Sequence, residues 1–380
     1  MMKILFLDQT GKLGGAELSL LDLAGAFGSE SSVLLFQDGP FKTRLESAGI
    51  DVQVSENPSI ENRKNDGVWQ GIHAVIKSLP LIEKILRQSK KYDLIYANTQ
   101  KAFIFGVIAG FFAKRPVVYH LHDILSTDHF SRINIKIAVF MANYLSRLII
   151  ANSQATAQSF IDSGGKAKLV KVIYNGFDPK IYQSNPIDRT NLRHELNLED
   201  KFVVGQFSRL SPWKGQHVLL EALAHCPESV VGLFVGDALF GEDEYVQQIK
   251  QQVQDLGLTD RVHFVGFRSD VPNLMSACDV VAHTSTLPEP FGRVIVEGML
   301  CEKAVIVSAA GGAVELINHG ETGWTVIPGD SHELAKAIQY CLENPSHCKE
   351  VATRAKQNAC DRFNVHEINQ EVVNVLKSIL

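Results

Sequence analysis

Residues 3–27 read KILFLD, QTGKLGG, AELSLLDLAGAF: an apolar run, a glycine-rich loop and a helical pattern. A short apolar run bounded by turn signals suits a strand buried on both faces, and the spacing after Ala16 suits a helix. Strand, short loop and helix make the repeating unit of a parallel sheet. The chain repeats it: β-type runs follow at SVLLFQ (32–37), DLIYAN (93–98), PVVYHLH (116–122), RLIIANS (147–153) and LVKVIYN (169–175). Residues 175–201 then break the rhythm with a polar stretch rich in Asn and Pro, where an interdomain linker is expected to begin. A second series runs through FVVGQFSRL (202–210), VVGLFVGD (230–237), VHFVGF (262–267), DVVAHTS (279–285), AVIVSA (304–309) and GWTVIP (323–328). The pattern predicts an α/β protein with two doubly wound domains in succession. A length of 380 residues agrees, because it exceeds what one core usually organises.

Composition narrows the class. The content is 45% hydrophobic and 21% charged, as in ordinary soluble globular proteins. The longest apolar run, AFIFGVIAGFFA (102–113), has 12 residues and reads as a buried helix. About 20 would be needed to span a bilayer. MMKILFLDQTG does not read as a secretory leader. Six cysteines without a Cys-x-x-Cys pair suggest reduced thiols, so a cytoplasmic protein is expected. The net charge of −5 conceals an asymmetry: residues 1–180 carry +5 and residues 181–380 carry −10. A basic first half favours an anionic surface or an acidic ligand as readily as plain solvent. Within it, FSRINIKIAVFMANYLSR (130–147) suits either a core-facing helix or a peripheral contact with anionic membrane. No nucleic-acid partner is expected.

In doubly wound sheets ligands sit beyond the carboxyl ends of strands, and between two such domains the cleft is the default site. Beyond the first strand, Gly11, Gly14 and Gly15 permit close backbone approach to a ligand. They do not form Gly-x-Gly-x-x-Gly, which disfavours a nicotinamide dehydrogenase. Beyond the first strand of the second series, Arg209 and Lys214 offer a fork and a point charge suited to a diphosphate. His122 ends a first-domain strand beside Asp123. In LPEPFGRVIVEGML (287–300), Pro290 keeps Glu289 extended on a loop, and a helix begins near Phe291 or Gly292. The amides from Phe291 to Val294 would form an anion site there, with Glu297 a turn inside. Two carboxylates that accept from sugar hydroxyls, beside cations for a diphosphate, describe a sugar-nucleotide site.

EPFGRVIVEGML (289–300) resembles the Glu-x7-Glu motif of retaining glycosyltransferases with the GT-B fold, family 4. GKLGGAE (11–17), HLHD (120–123), VIYNGFD (172–178), SRLSPWKG (208–215), VHFVGFRSDVP (262–272) and SAAGGAVELI (308–317) extend the likeness along the whole chain. The resemblance implies GT-B: two Rossmann-like domains facing an interdomain cleft. Residues 1–175 would bind acceptor and 176–363 the nucleotide sugar, with the helix 364–380 crossing back to the first domain.

It also implies roles. Glu289 would sit over the donor sugar, and Glu297 would bind the ribose. Arg209 and Lys214 would neutralise the departing diphosphate. Phe291, Gly292, Arg293 and Val294 would hold donor hydroxyls and phosphate oxygens through their amides. Phe267 and Arg268 would line the base pocket, His122 would contact the donor sugar or assist the reaction as a catalytic residue, and Gly14 and Gly15 would approach the diphosphate. An aliphatic residue is common where Arg293 stands. Transfer would retain anomeric configuration with no metal and no cofactor. The expected donor is a nucleoside diphosphate hexose, UDP-glucose first, and the acceptor a glycan or lipid-linked glycan read by first-domain loops such as 55–72. A GT-B epimerase or phosphorylase, or a non-catalytic sugar-nucleotide binder, are the alternatives.

Overall fold

The computed structural model describes residues 2–55, 68–183, 186–239 and 241–380, so most of the 55–72 loop lies outside the described residues. The chain forms two compact units, Met1–Phe177 with Val365–Leu380, and Asp178–Asn364.

The first unit holds seven strands: β1 (Ile4–Asp8), β2 (Ser32–Leu35), β3 (Asp51–Val54), β4 (Leu94–Ala97), β5 (Val117–Leu121), β6 (Leu148–Ala151) and β7 (Val170–Val172). They alternate with α1 (Gly15–Ala24), α2 (Pro40–Ser47), α3 (Val68–Ser89), α4 (Gln100–Ala113), α5 (Arg132–Leu145) and α6 (Gln154–Asp162). All strand pairs are parallel, in the order β3-β2-β1-β4-β5-β6-β7. Strand side chains alternate between faces, and both faces are covered, which is why the runs are apolar throughout. Leu5 and Leu7 pack with Phe103 of α4 and Val139 of α5. Ile4 and Phe6 pack on the other face with Leu20 of α1, Phe41 of α2, and Val372 and Leu376 of the C-terminal helix (Val365–Ser378).

The second unit opens with α7 (Pro186–Glu195). Its sheet contains β8 (Phe202–Phe207), β9 (Val230–Val235), β10 (Val262–Phe264), β11 (Val280–His283), β12 (Ala304–Ser308) and β13 (Trp324–Val326). The helices are α8 (Gln216–Ala224), α9 (Asp243–Asp255), α10 (Val271–Ala277), α11 (Arg293–Leu300), α12 (Ser331–Glu343) and α13 (Pro345–Arg362). Its parallel order is β10-β9-β8-β11-β12-β13. In each sheet the strand order reverses once, between β1 and β4 and between β8 and β11, and such switch points open a crevice at the carboxyl ends.

Two elements depart from the sequence reading. β3 was not anticipated: as an edge strand with β2 alone beside it, it keeps the polar Asp51 and Gln53 and lacks a continuous apolar run. α4 was expected to be buried, yet Phe111 and Phe112 in its last turn are exposed. Only one side of the helix meets the sheet, through Ala102, Phe103, Gly106, Val107 and Gly110. Among the described residues no helix is long and apolar enough to cross a membrane, and the six cysteines are free thiols.

Candidate active site

At the second switch point two loops lie side by side, one leaving β8 at Phe207 and the other leaving β11 at His283. Gln206 Nε2 donates to the Lys214 carbonyl at 2.8 Å and to Thr284 Oγ1 at 2.7 Å, and the Thr286 amide donates to the Trp213 carbonyl at 2.8 Å. Gly215 has a φ of +70°, and a Cβ there would lie 2.0 Å from the Thr284 carbonyl oxygen. The close approach of the loops therefore requires glycine.

Glu289 is the node of this crevice. Its carbonyl accepts from the Gly312 amide at 2.6 Å, which fixes its backbone to the loop after β12. Its Oε2 accepts from Lys214 Nζ at 2.7 Å, Ser285 Oγ at 2.9 Å and His283 Nε2 at 3.0 Å. An ionised carboxylate has no proton to give, so His283 carries its proton on Nε2. Burial alone would raise the Glu289 pKa, but the Lys214 charge and the His283 hydrogen bond hold it far below the usual carboxylate range. Lys214 Nζ also sits 3.9 Å from the Trp213 ring centre, and the Arg209 guanidinium lies 5.8 Å from it. The aromatic face thus steadies both cations.

α11 begins at Arg293, later than expected, because Gly292 is left-handed with a φ of +95°. Phe291 is buried edge-on against Phe363, at 5.9 Å, instead of opening the helix. The Ile295 amide closes on the Gly292 carbonyl at 2.9 Å, within the first turn of α11. One turn on, Glu297 Oε1 lies 3.6 Å from Arg293 Nε, and both side chains are largely buried. Phe267 and Arg268 follow the edge strand β10. Phe267 is exposed, and Arg268 forms a fork with Asp270 at 2.8 and 2.7 Å.

The first unit gathers a separate cluster at its own switch point. Asp8 ends β1, Asn98 follows β4 and His122 follows β5. Asn98 Nδ2 donates to Asp8 Oδ2 at 2.7 Å and to the Ala16 carbonyl at 3.1 Å. Its Oδ1 therefore faces His122 Nε2, at 2.9 Å, and the imidazole donates from that nitrogen. His120 shares the strand face, its ring centre 3.8 Å from that of His122, and burial pushes its pKa down to about 3. Gly14 caps α1 and Gly15 opens it, with Glu17 in the first turn. Burial raises Glu17 well above its ordinary value, and the nearby Asp8 charge adds to the shift.

Burial likewise pushes Asp8 up from 3.8 to about 6. A raised carboxyl pKa means the folded state holds its proton longer. The Asp8 contribution to stability is complete below about pH 4 and is lost as pH rises through 6. Denaturant unfolding between pH 3.5 and 7.5 should show this fall in wild type and a flatter profile in Asp8→Asn. An unchanged slope in the variant would refute the assignment.

Of the residues picked from sequence, the second unit joins Lys214 and Glu289 directly, sets Arg209 beside Trp213 and pairs Arg293 with Glu297. Gly14, Gly15 and His122 belong to the first unit, and Phe267 and Arg268 to the edge of the second sheet. Trp213, His283, Ser285, Asp8 and Asn98 were missed. Their one available signal was position, at or just beyond a strand end. Among the described residues no group of three or more His, Cys, Asp or Glu side chains is arranged to hold a metal ion.

Residues 13–181 match the family described as Glycosyltransferase Family 4, and residues 188–358 the one described as glycosyl transferases group 1. A crystal structure of Anabaena Alr3699/HepE in complex with UDP and glucose is 52% identical, covers 100% of both chains and has a TM-score of 0.93. The chain belongs to glycosyltransferase family 4. Its two parallel-sheet units are the Rossmann-like domains of the GT-B fold. This glycosyltransferase is also 25% identical over 384 residues to a Campylobacter jejuni alpha-1,4-N-acetyl-D-galactosaminyltransferase that acts on a diNAcBac-PP-undecaprenol-linked glycan. That match covers 100% of this chain and 99% of the relative. The putative glycosyltransferase EpsD of Bacillus subtilis is 25% identical over 317 residues, which cover 78% of this chain and 81% of EpsD.

Proposed function

We propose that this glycosyltransferase moves glucose from UDP-glucose to a glycan or lipid-linked acceptor in polysaccharide assembly, with retention of configuration and without a metal ion. The observation that carries the reading is the Glu289 node, where an ionised, buried carboxylate is held between Lys214, Ser285 and His283. The choice of donor is supported by the 52% identical Anabaena protein, whose solved complexes contain UDP with glucose and UDP-glucose. In the transfer an acceptor hydroxyl oxygen bonds to the anomeric carbon as the bond from that carbon to the β-phosphate oxygen breaks. UDP leaves with the electron pair, and the hydroxyl proton passes to the departing phosphate. Lys214 and Arg209 supply the positive charge that a departing diphosphate needs. Glu289 faces the charge that develops on the sugar, and Glu297 anchors the ribose.

The test is a panel of UDP-, GDP- and ADP-hexoses scored by nucleoside diphosphate release, with product analysis for each candidate acceptor. UDP-glucose is expected to give the highest kcat/KM, and EDTA is expected to leave turnover unchanged. Preference for a guanosine or adenosine donor would overturn the donor assignment. Turnover abolished by EDTA and restored by a divalent ion would overturn metal independence. Donor conversion with no glycosylated product across acceptors would favour an epimerase, and donor binding without turnover a non-catalytic binder.

A further inference from the structure

Helix α5 is apolar on two opposite faces, and the sheet accounts for only one of them. Ile135, Val139 and Ala142 are buried in the core of the first unit beside Phe103 and Val107. On the other side Ile133, Ile137, Phe140 and Tyr144 are 69%, 46%, 63% and 65% exposed. Their spacing of i, i+4, i+7 and i+11 aligns them in one stripe along the helix. Single exposed apolar residues are normal on any surface, but four large ones in register are not.

The neighbouring helix extends this surface. α4 and α5 follow the adjacent parallel strands β4 and β5 and share one core, so they lie on the same sheet face. Both run opposite to the strands, and their last turns therefore reach the same edge of the sheet. There α4 presents Phe111 and Phe112, each 66% exposed, near the Phe140 and Tyr144 end of α5.

Charge selects the partner. Residues 100–115 and 131–147, the two helices with their flanks, contain Lys101, Lys114, Arg115, Arg132, Lys136 and Arg147 and not one Asp or Glu. Lys136 and Arg132 are exposed alongside the stripe, and Lys166 Nζ lies 4.0 Å from the centre of the Tyr144 ring. Exposed aliphatic and aromatic groups on helices whose only charged side chains are cations match the acyl boundary and headgroups of an anionic bilayer.

We propose that α5 and the end of α4 form a membrane-docking surface, which lies in the headgroup region of an anionic lipid bilayer. One such stripe gives reversible attachment rather than anchoring. α5 starts ten residues after His122 at the carboxyl edge of the sheet and ends at the amino edge, so the docking surface lies along one flank of the first unit. The inference does not depend on which sugar nucleotide is the donor.

Vesicle flotation tests it. Vesicles of phosphatidylcholine with about 30% phosphatidylglycerol, an anionic lipid that attracts clustered cations, are compared with phosphatidylcholine alone. Wild type is expected to float with the anionic vesicles at low salt and more weakly at high salt. Phe140→Glu and Ile137→Glu should reduce partition by at least about tenfold, since each places a charge in the apolar boundary. Lys136→Glu should reduce anionic selectivity by roughly fivefold or more per charge lost. Because all three side chains are exposed, unfolding midpoints are expected to match wild type, and matching UDP-hexose turnover on a soluble acceptor serves as a second check of the fold. Absence of flotation at low salt, or flotation unaffected by Phe140→Glu, would overturn the proposal. So would a concentration-dependent dimer in sedimentation velocity that Phe140→Glu abolishes, because the stripe would then be covered by a second copy.

Discussion

Glu289→Gln is expected to lower kcat by about 100-fold or more while donor affinity changes only a few-fold. The carboxylate is ionised because Lys214, His283 and Ser285 converge on Oε2, and burial leaves little water to screen it. In the proposed transfer, positive charge grows on the sugar as the diphosphate departs. A fixed negative charge therefore gains in the transition state more than in the ground state, and its loss falls on turnover. Gln keeps the shape and a carbonyl that accepts from Ser285 and His283, but removes the charge. Glu289→Ala is the poorer probe: it leaves a nearly buried Lys214 and His283 without their acceptor, which should cost about 3–5 kcal/mol of stability. Rates of UDP release, paired with donor titration by calorimetry, separate the two effects. Equal losses of binding and turnover in the Gln variant would show that Glu289 holds the donor in the ground state instead.

That experiment turns on contacts of which the sequence shows one part. The strand-helix rhythm is legible wherever a strand is buried on both faces, as in VVGLFV, because burial forces an unbroken apolar run. Edge strand β3 faces no such demand and passes unnoticed. EPFGRVIVEGML is legible because Pro290 and Gly292 punctuate the loop and helix and bracket the motif between two acids. The partners of Glu289 are not. His283 ends a strand and Lys214 lies 75 residues from Glu289, and only the parallel pairing around β8 and β11 brings these loops together. Asn98 and Asp8 meet His122 through the same kind of crossover. The faces of α5 raise a different difficulty. Periodicity locates apolar residues on both sides of the helix, but the sheet decides which side is covered.

Glu297→Ala should mainly raise the donor KM, by roughly 10- to 150-fold, with kcat little altered. Loss of a charged hydrogen-bonding partner costs about 1.5–3 kcal/mol, and an anchor on the ribose holds ground state and transition state alike. The structure adds Arg293 to this argument. It pairs with Glu297 at 3.6 Å, an ion pair too long for a hydrogen bond, with both side chains mostly shielded from water. A cation one turn ahead of an acid, near a helix N-terminus, is the less favourable order for helix stability. The arrangement therefore suits a ligand better than it suits the helix. With two oxygens, Glu297 can accept from ribose hydroxyls while the pair with Arg293 persists. Arg293→Leu should then weaken UDP binding through lost positive charge beside the first amides of α11. The double variant should fall short of the sum of the single losses, because each single change disturbs the same pair. Calorimetric Kd values for UDP and for the sugar nucleotide, with steady-state rates for all three variants, decide the point. Additive losses would mean that the two side chains act separately, and a kcat loss in Glu297→Ala matching that of Glu289→Gln would refute the division of labour between the two acids.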